Sequence, residues 1–490
     1  SNINAFLNTG DDKGLIVQPR PLFKSLVLAA VLVLVPAAAK ANDSDEIDSL
    51  RKAIGAQQEL IRQQAQALEN QQRLLNRQVE EMERLTGRLE ALESQPDMTS
   101  EGTSKKAAVA TAEQQHEDEG GASMEIYGFA QMDLIHDFNR MDPNWEDAFR
   151  PSRIPTSEGA FGSDGQSSAS VKQSRLGVAG SMPTGTGKSP LDYKFEFDLF
   201  GVGADEGQTT FRLRHAYGEW GPVLAGQTHS LFMDINVFPN TIDYWGPSGM
   251  VFLRNPQLRW TPWRGDAAYF ALGLEKPNSD VDPGLIYQSD PALGANIQGQ
   301  ETYPDLTARW RTTGDWGHFQ AAGILRSIEY ETLDSPGNQP EGSETGWGIN
   351  LSTNINILER DRFIAQLVHG EGIASYMNDG GMDMAPQNQG GDISFQTVPL
   401  TGVVAYYDHY WNDRWSSALG YSFTEVDNTN YQEASAFNKG EYTSVNLLHY
   451  PGENLMFGGE LLYGKRTDND GSSGDDVRLQ FSAKYNFSSN

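Results

Sequence analysis

Two hydrophobic rhythms divide the chain. From Ile47, apolar residues return every seven positions, at Ile47, Ile54, Ile61, Leu68, Leu75, Met82 and Leu89. A companion seam holds Leu50, Gln57, Gln64, Gln71, Gln78, Leu85 and Leu92. A sustained seven-residue repeat predicts an α-helical coiled coil over residues 42–94. Glutamine in the middle of the second seam costs stability, fixes register and is compatible with a trimer. The alternative, a lone amphipathic helix on a globular body, lacks a helical neighbour to pack on. Residues 95–122 are polar and close on Gly120-Gly121, which reads as a flexible linker.

After Met124 the period falls to two. The last stretch is the clearest: Val477, Leu479, Phe481, Ala483, Tyr485 and Phe487 alternate with Arg478, Gln480, Ser482, Lys484 and Asn486. Such a strand lies on a core in water, or faces lipid outside and water inside a membrane barrel. About sixteen such segments, each near the roughly 9–11 residues of a tilted spanning strand, begin near Met124, Val171, Leu191, Gln208, Pro222, Arg254, Asp266 and Pro304. The series continues at Trp316, Glu344, Arg360, Leu400, Arg414, Asn438, Asn454 and Asp475. Short connectors such as Trp220-Gly221-Pro222 and Thr313-Gly314-Asp315 alternate with long loops near 139–170, 229–253, 277–303, 329–343, 372–399 and 425–437. Turns sorted to one side and loops to the other predict an all-β membrane protein. The expected fold is a 16-stranded antiparallel transmembrane β-barrel over residues 123–487, with 488–490 as a C-terminal extension. A soluble sandwich would not sort its loops in this way.

Composition narrows the partners. The chain has 490 residues, no cysteine and a net charge of −29. Disulfides and cysteine-based metal sites are excluded, and the acidity argues against nucleic acid. No apolar run reaches the roughly 20 residues of a membrane helix, which leaves membrane barrels open. Arg20 and Lys24 precede the apolar run from Leu26 to Val35, and Ala39-Lys40-Ala41 follows as a small-residue cleavage site. Residues 1–41 therefore read as upstream residues and a signal peptide, with Val17 as the expected translation start and Asn42 as the first mature residue. The stretch Pro183-Thr184-Gly185-Thr186-Gly187-Lys188-Ser189-Pro190 ends like a phosphate-binding loop. Met182 stands where that loop needs its first glycine, and no helix follows to offer its N-terminus. It is expected to be a Gly/Pro turn that binds no nucleotide.

Several runs carry a resemblance. Tyr127-Gly128-Phe129 opens the barrel, followed by Phe161-Gly162-Ser163-Asp164-Gly165 and Gln173-Ser174-Arg175-Leu176-Gly177. The most specific run is Asp234-Ile235-Asn236-Val237-Phe238-Pro239-Asn240-Thr241-Ile242-Asp243-Tyr244-Trp245-Gly246-Pro247. With the heptads, these resemble the DcaP-like trimeric porins of Gram-negative outer membranes, over residues 124–487 and the coiled coil. The resemblance implies a homotrimer of sixteen-stranded barrels in outer-membrane lipid, a coiled coil on the periplasmic side, and a preference for small anionic solutes such as dicarboxylates.

Within that frame the third long loop, near 229–253, is similar to the loop that folds into trimeric porins and narrows them, with Asp234, Asn236 and Asp243 expected on its pore side. The alternative is an ordinary external loop. Strand alternation turns Arg212 and Arg214 to one face, Arg175 inward beside Leu176, Arg259 inward between Leu258 and Trp260, and Arg309 with Arg311 inward around Trp310. These six arginines are the expected basic side of a constriction, since the guanidinium fork matches carboxylate or phosphate. The competing expectation is that they only balance acidic neighbours such as Glu196 and Asp198. The eight histidines show no metal-ligand spacing, no Gly-x-Ser-x-Gly run occurs, and no carboxylate pair stands out. No catalysis, metal or cofactor is expected. The alternatives are a non-selective, phosphate or sugar porin and, in a different class, a trimeric surface adhesin.

Overall fold

The computed structural model describes residues 122–185, 189–201 and 210–489. The expected signal peptide, coiled coil and most of the expected linker lie outside the described residues, as do the tip of the Pro183–Pro190 turn and residues 202–209.

Sixteen strands close into one antiparallel barrel, and two short strands, Gln166–Ser170 and Ile297–Gln300, pair onto its long-loop end. The first half of the barrel comprises β1 (Ser123–Asp137), β2 (Arg175–Met182), β3 (Leu191–Asp198), β4 (Arg212–Trp220), β5 (Val223–His229), β6 (Arg254–Arg264), β7 (Ala268–Glu275) and β8 (Asp305–Gly314). The second half comprises β9 (Gly317–Thr332), β10 (Gly342–Ile357), β11 (Asp361–Glu371), β12 (Pro399–Asn412), β13 (Trp415–Val426), β14 (Phe437–Gly452), β15 (Leu455–Asp468) and β16 (Ser473–Ser488). The largest offsets from the expected starts are at β2 (Val171 against Arg175) and β4 (Gln208 against Arg212). β16 pairs with β1 from Arg478↔Asp137 to Ser488↔Tyr127, which seals the cylinder and leaves no free edge. The final strand thus includes Ser488, and the Ser489 N–H donates to Ile126 O at 2.9 Å, so part of the expected extension is barrel.

Period-two alternation places the side chains as expected. On β16, Phe481 and Tyr485 are exposed outside, while Arg478, Gln480 and Ser482 are buried inside. The wall is uneven. β5 has 7 residues and β9 has 16. At about 3.3 Å per residue and a tilt near 45°, these rise about 16 Å and about 37 Å, against an apolar band of about 25 Å. The β3–β5 side is low, and the β9–β16 side is tall.

Loop 230–253 folds into the lumen and follows the tall wall. The carbonyl oxygens of Phe232 and Met233 accept from Asn350 (2.8 Å) and Gln320 (3.1 Å). Further on, Glu460 accepts the N–H groups of Ile242 and Asp243, and Gln480 donates to Ile242 O. Thr424 and Gln366 donate to the carbonyls of Ser248 and Gly249. These partners satisfy the polar backbone of an inward loop. Gly249 lies so close that a Cβ there would sit 2.1 Å from Phe423 O. Phe232, Val237, Met250 and Val251 of the loop join Tyr376, Tyr406 and Tyr442 in an apolar core inside the barrel.

Candidate functional site

The loop fills the tall side, so the remaining passage runs beside β2–β8. Register decides what that wall presents. Arg175 and Asp198 are opposite each other on β2 and β3, as are Asp198 and Arg212 on β3 and β4. The pairing shifts between Glu196 and Phe197, leaving Arg214 and His215 together in a bulge where both are buried. Arg212 donates to both Asp198 oxygens, at 3.0 and 2.6 Å. Arg214 donates to Glu196 at 2.7 Å and Asp198 at 3.1 Å. Arg175 stands 3.5 Å from Glu196, and Lys194 3.2 Å from it. Tyr244 reaches from the loop across the lumen to this cluster, donating to Asp198 at 3.0 Å. Arg175, Lys194, Arg212 and Arg214 therefore share two carboxylates, Glu196 and Asp198, in one ion-paired network.

Arg259 and Arg309 differ. Arg259 donates to His229 O (2.8 Å) and Gln257 Oε1 (2.8 Å), both neutral acceptors. Arg309 lies 5.5 Å over the Tyr269 ring, with one long contact of 3.5 Å to Met233 O. Neither forms an ion pair among the described residues. With Arg311 they line a cavity of about 380 Å³, and the same Arg259, Arg309 and Tyr269 line a second of about 390 Å³ towards the β6–β7 turn. Towards the loop end, Arg150, Arg212, Arg254 and Tyr244 line a cavity of about 330 Å³. Arg150 lies 4.3 Å from the rings of both Trp145 and Trp245 and is paired with Asp379 at 2.9 Å.

Of the loop residues expected on the pore side, Asp234 and Asn236 border the cavity of Arg259, Arg309 and Arg311. Asp234 is 1% exposed and turned to the wall, where it meets His318 Nε2 (2.7 Å) and accepts from Ser352 (2.8 Å) and Arg311 (2.9 Å). Burial alone would raise its carboxyl, but these partners outweigh it and hold the group down at about 2. Asp243 is also buried. It accepts the N–H groups of Phe149 and Gly246 and the Tyr442 hydroxyl, and burial pushes its carboxyl above the usual range. Both anchor the loop: Asp234 ties it to wall side chains, and Asp243 ties it to Tyr442 and to the backbone of Phe149. Of the three, only Asn236 is exposed, where it accepts from Arg311 at 3.1 Å. Sequence reading passed over Lys194, Arg254 and Lys484. Lys484 sits on the expected inner face of β16, 4.1 Å from the Phe129 ring, so the alternation that placed the arginines could have found it.

A closed sixteen-stranded barrel with an infolded loop and a charged lumen defines a membrane channel. The profile of the DcaP outer membrane protein family matches residues 56–487, and the chain belongs to that family of outer-membrane channels. Among solved structures it is similar to the outer membrane channel DcaP of Acinetobacter baumannii, with 24% identity over 76% of this chain and 99% of that one and a TM-score of 0.64. The trimer form of OmpT from Vibrio cholerae aligns at 10% identity over 75% and 99% of the two chains, TM-score 0.45. An anion-selective porin from Comamonas acidovorans aligns at 10% identity over 75% and 100%, TM-score 0.46. No curated protein sequence matches the chain.

Proposed function

We infer that this outer-membrane porin passes small solutes passively and favours anions, dicarboxylates among them. The observation that carries the reading is the pair Arg259 and Arg309, whose partners are neutral, on the wall the loop leaves open. Low-dielectric walls focus the field of such charges along the passage, and two guanidinium groups facing one cavity suit a solute with two carboxylates. The protomer works as a homotrimer, with its low β3–β5 side against neighbouring copies. A wall of about 16 Å cannot cover an apolar band of about 25 Å alone. The heptads of residues 42–94 lie in the periplasm, where the chain enters the barrel at its short-turn end. Single-channel recording in a salt gradient tests the selectivity. A reversal potential on the anion side, with current blocked by dicarboxylates, is expected. A reversal potential near zero without block would make this a general diffusion pore.

A further inference from the structure

The outer surface of the tall wall carries a groove of about 510 Å³. Register explains it. Leu447, Gly459 and Phe481 lie side by side on β14, β15 and β16, and Phe457, Ala483 and Met132 form the next row on β15, β16 and β1. Gly459 and Ala483 are the small members, so a diagonal dent runs between large apolar neighbours. At the short-turn end the groove stops at Trp415 and His449, whose rings stack at 4.2 Å. A tryptophan at that height marks the membrane–water interface. Next to it, Arg414 is exposed on the β12–β13 turn. Its neighbour Asp413 is engaged by Arg360 at 2.5 Å, and Arg414 has no ion-pair partner among the described residues.

We propose that this is a binding site for one anionic phospholipid of the periplasmic leaflet, with an acyl chain in the Gly459/Ala483 groove and the phosphate on Arg414. Three observations favour lipid over a second copy of the chain. The groove lies on strands of 14 and 16 residues, which cover the apolar band without help, unlike the low side. It offers almost only apolar surface, and one cation stands at headgroup height above it. Bulk lipid tails are as apolar as the groove, so the gain comes from close packing in the dent and from the charge pair rather than from escape from water.

The test is native mass spectrometry of the full-length protein in mild detergent with added phosphatidylglycerol, scoring lipid adducts per protomer. The expected result is one retained lipid. Arg414→Gln should weaken retention about fivefold, the loss of one basic residue's attraction at an anionic lipid surface. Ala483→Phe should abolish it by filling the dent from β16, and Gly459→Leu does so from β15. A Cβ at Gly459 meets the Phe481 ring at 3.2 Å, so Ala483→Phe, checked for heat-modifiable mobility, guards against misfolding. Equal retention in Arg414→Gln and Ala483→Phe overturns the site. Loss of trimer in a folded Ala483→Phe protein assigns the groove to a neighbouring copy and overturns it equally. Because the groove is outside the barrel, reversal potentials stay unchanged in all three variants.

Discussion

Replacing Arg259 and Arg309 with glutamine removes two cations whose contacts are neutral carbonyls and an aromatic ring. An anion passing about 5 Å from a unit charge gains about 0.8 kcal/mol at a water-like dielectric, and about 3 kcal/mol at an effective value near 20. At the lower figure, losing both charges raises an anion by about 1.6 kcal/mol and lowers a cation by the same amount. The anion-to-cation ratio then falls by more than about a hundredfold, at tenfold per 1.4 kcal/mol. The assay is the reversal potential across a tenfold salt gradient, where ideal selectivity gives about 59 mV for a monovalent ion. The wild type should sit well to the anion side and the double variant near zero, with the difference shrinking as salt shortens the Debye length from about 10 Å at 0.1 M. The control removes the paired charges together: Arg212→Gln, Arg214→Gln, Glu196→Gln and Asp198→Asn in one protein. That variant keeps the local net charge and should keep the wild-type potential. If it shifts as far as Arg259→Gln/Arg309→Gln, or if the latter shifts nothing, uncompensated charge does not set selectivity.

Other perturbations test the scaffold. Asp234→Ala strips His318, Arg311 and Ser352 of their common partner and should cost about 3–5 kcal/mol, the usual loss on breaking a buried pair. It should show as a lower unfolding temperature and a larger, noisier conductance. The same anchor predicts the acid response. The folded carboxyl is held at about 2, below its ordinary value of 3.8, so its contribution is complete above about pH 4 and fades as pH falls towards 2. Conductance noise should be flat from pH 7 to 4 and rise below that. Deleting residues 42–95 should remove the helical signal expected in circular dichroism and leave a heat-resistant trimer, if the proposed contact along the low β3–β5 wall holds the copies together. A monomer on a native gel would show instead that the heptads hold the assembly.

The barrel was legible because its signal is local. Alternation at Val477–Phe487, or at Phe211–Arg214, states which face each residue takes before any partner is known. The infolding of loop 230–253 came through resemblance and was right in outline. Which charges are spent was not legible. Arg212, Arg214, Glu196 and Asp198 all carry the same inward period, and only the β3–β4 register, with its bulge at Arg214 and His215, brings them to 2.6–3.1 Å. The role of Asp234 and Asp243 was hidden for a related reason. On a loop, no periodicity says which side faces the wall, and the donors they gather lie on β8–β10 and β14, far along the chain.

A net charge of −29 is compatible with the proposed anion preference, because part of the lumen's acid lies under the loop. The strands under loop 230–253 contribute Asp408 and Glu460, 3% and 1% exposed. Asp408 accepts the N–H of Asn240, and Glu460 those of Ile242 and Asp243. Both lie behind the loop, whereas Arg259 and Arg309, which form no ion pair among the described residues, stand on the open wall. Distance and screening both favour the nearer set, since at 0.1 M salt a charge about 10 Å behind the surface is one Debye length away. Glu460→Gln should therefore leave the reversal potential unchanged, whereas Arg309→Gln alone should move it. The Glu460 variant keeps one carbonyl acceptor for the loop N–H groups, so any change in conductance stays small. If Glu460→Gln raises anion preference as much as Arg309→Gln lowers it, position relative to the loop does not matter, and lumen selectivity follows total charge alone.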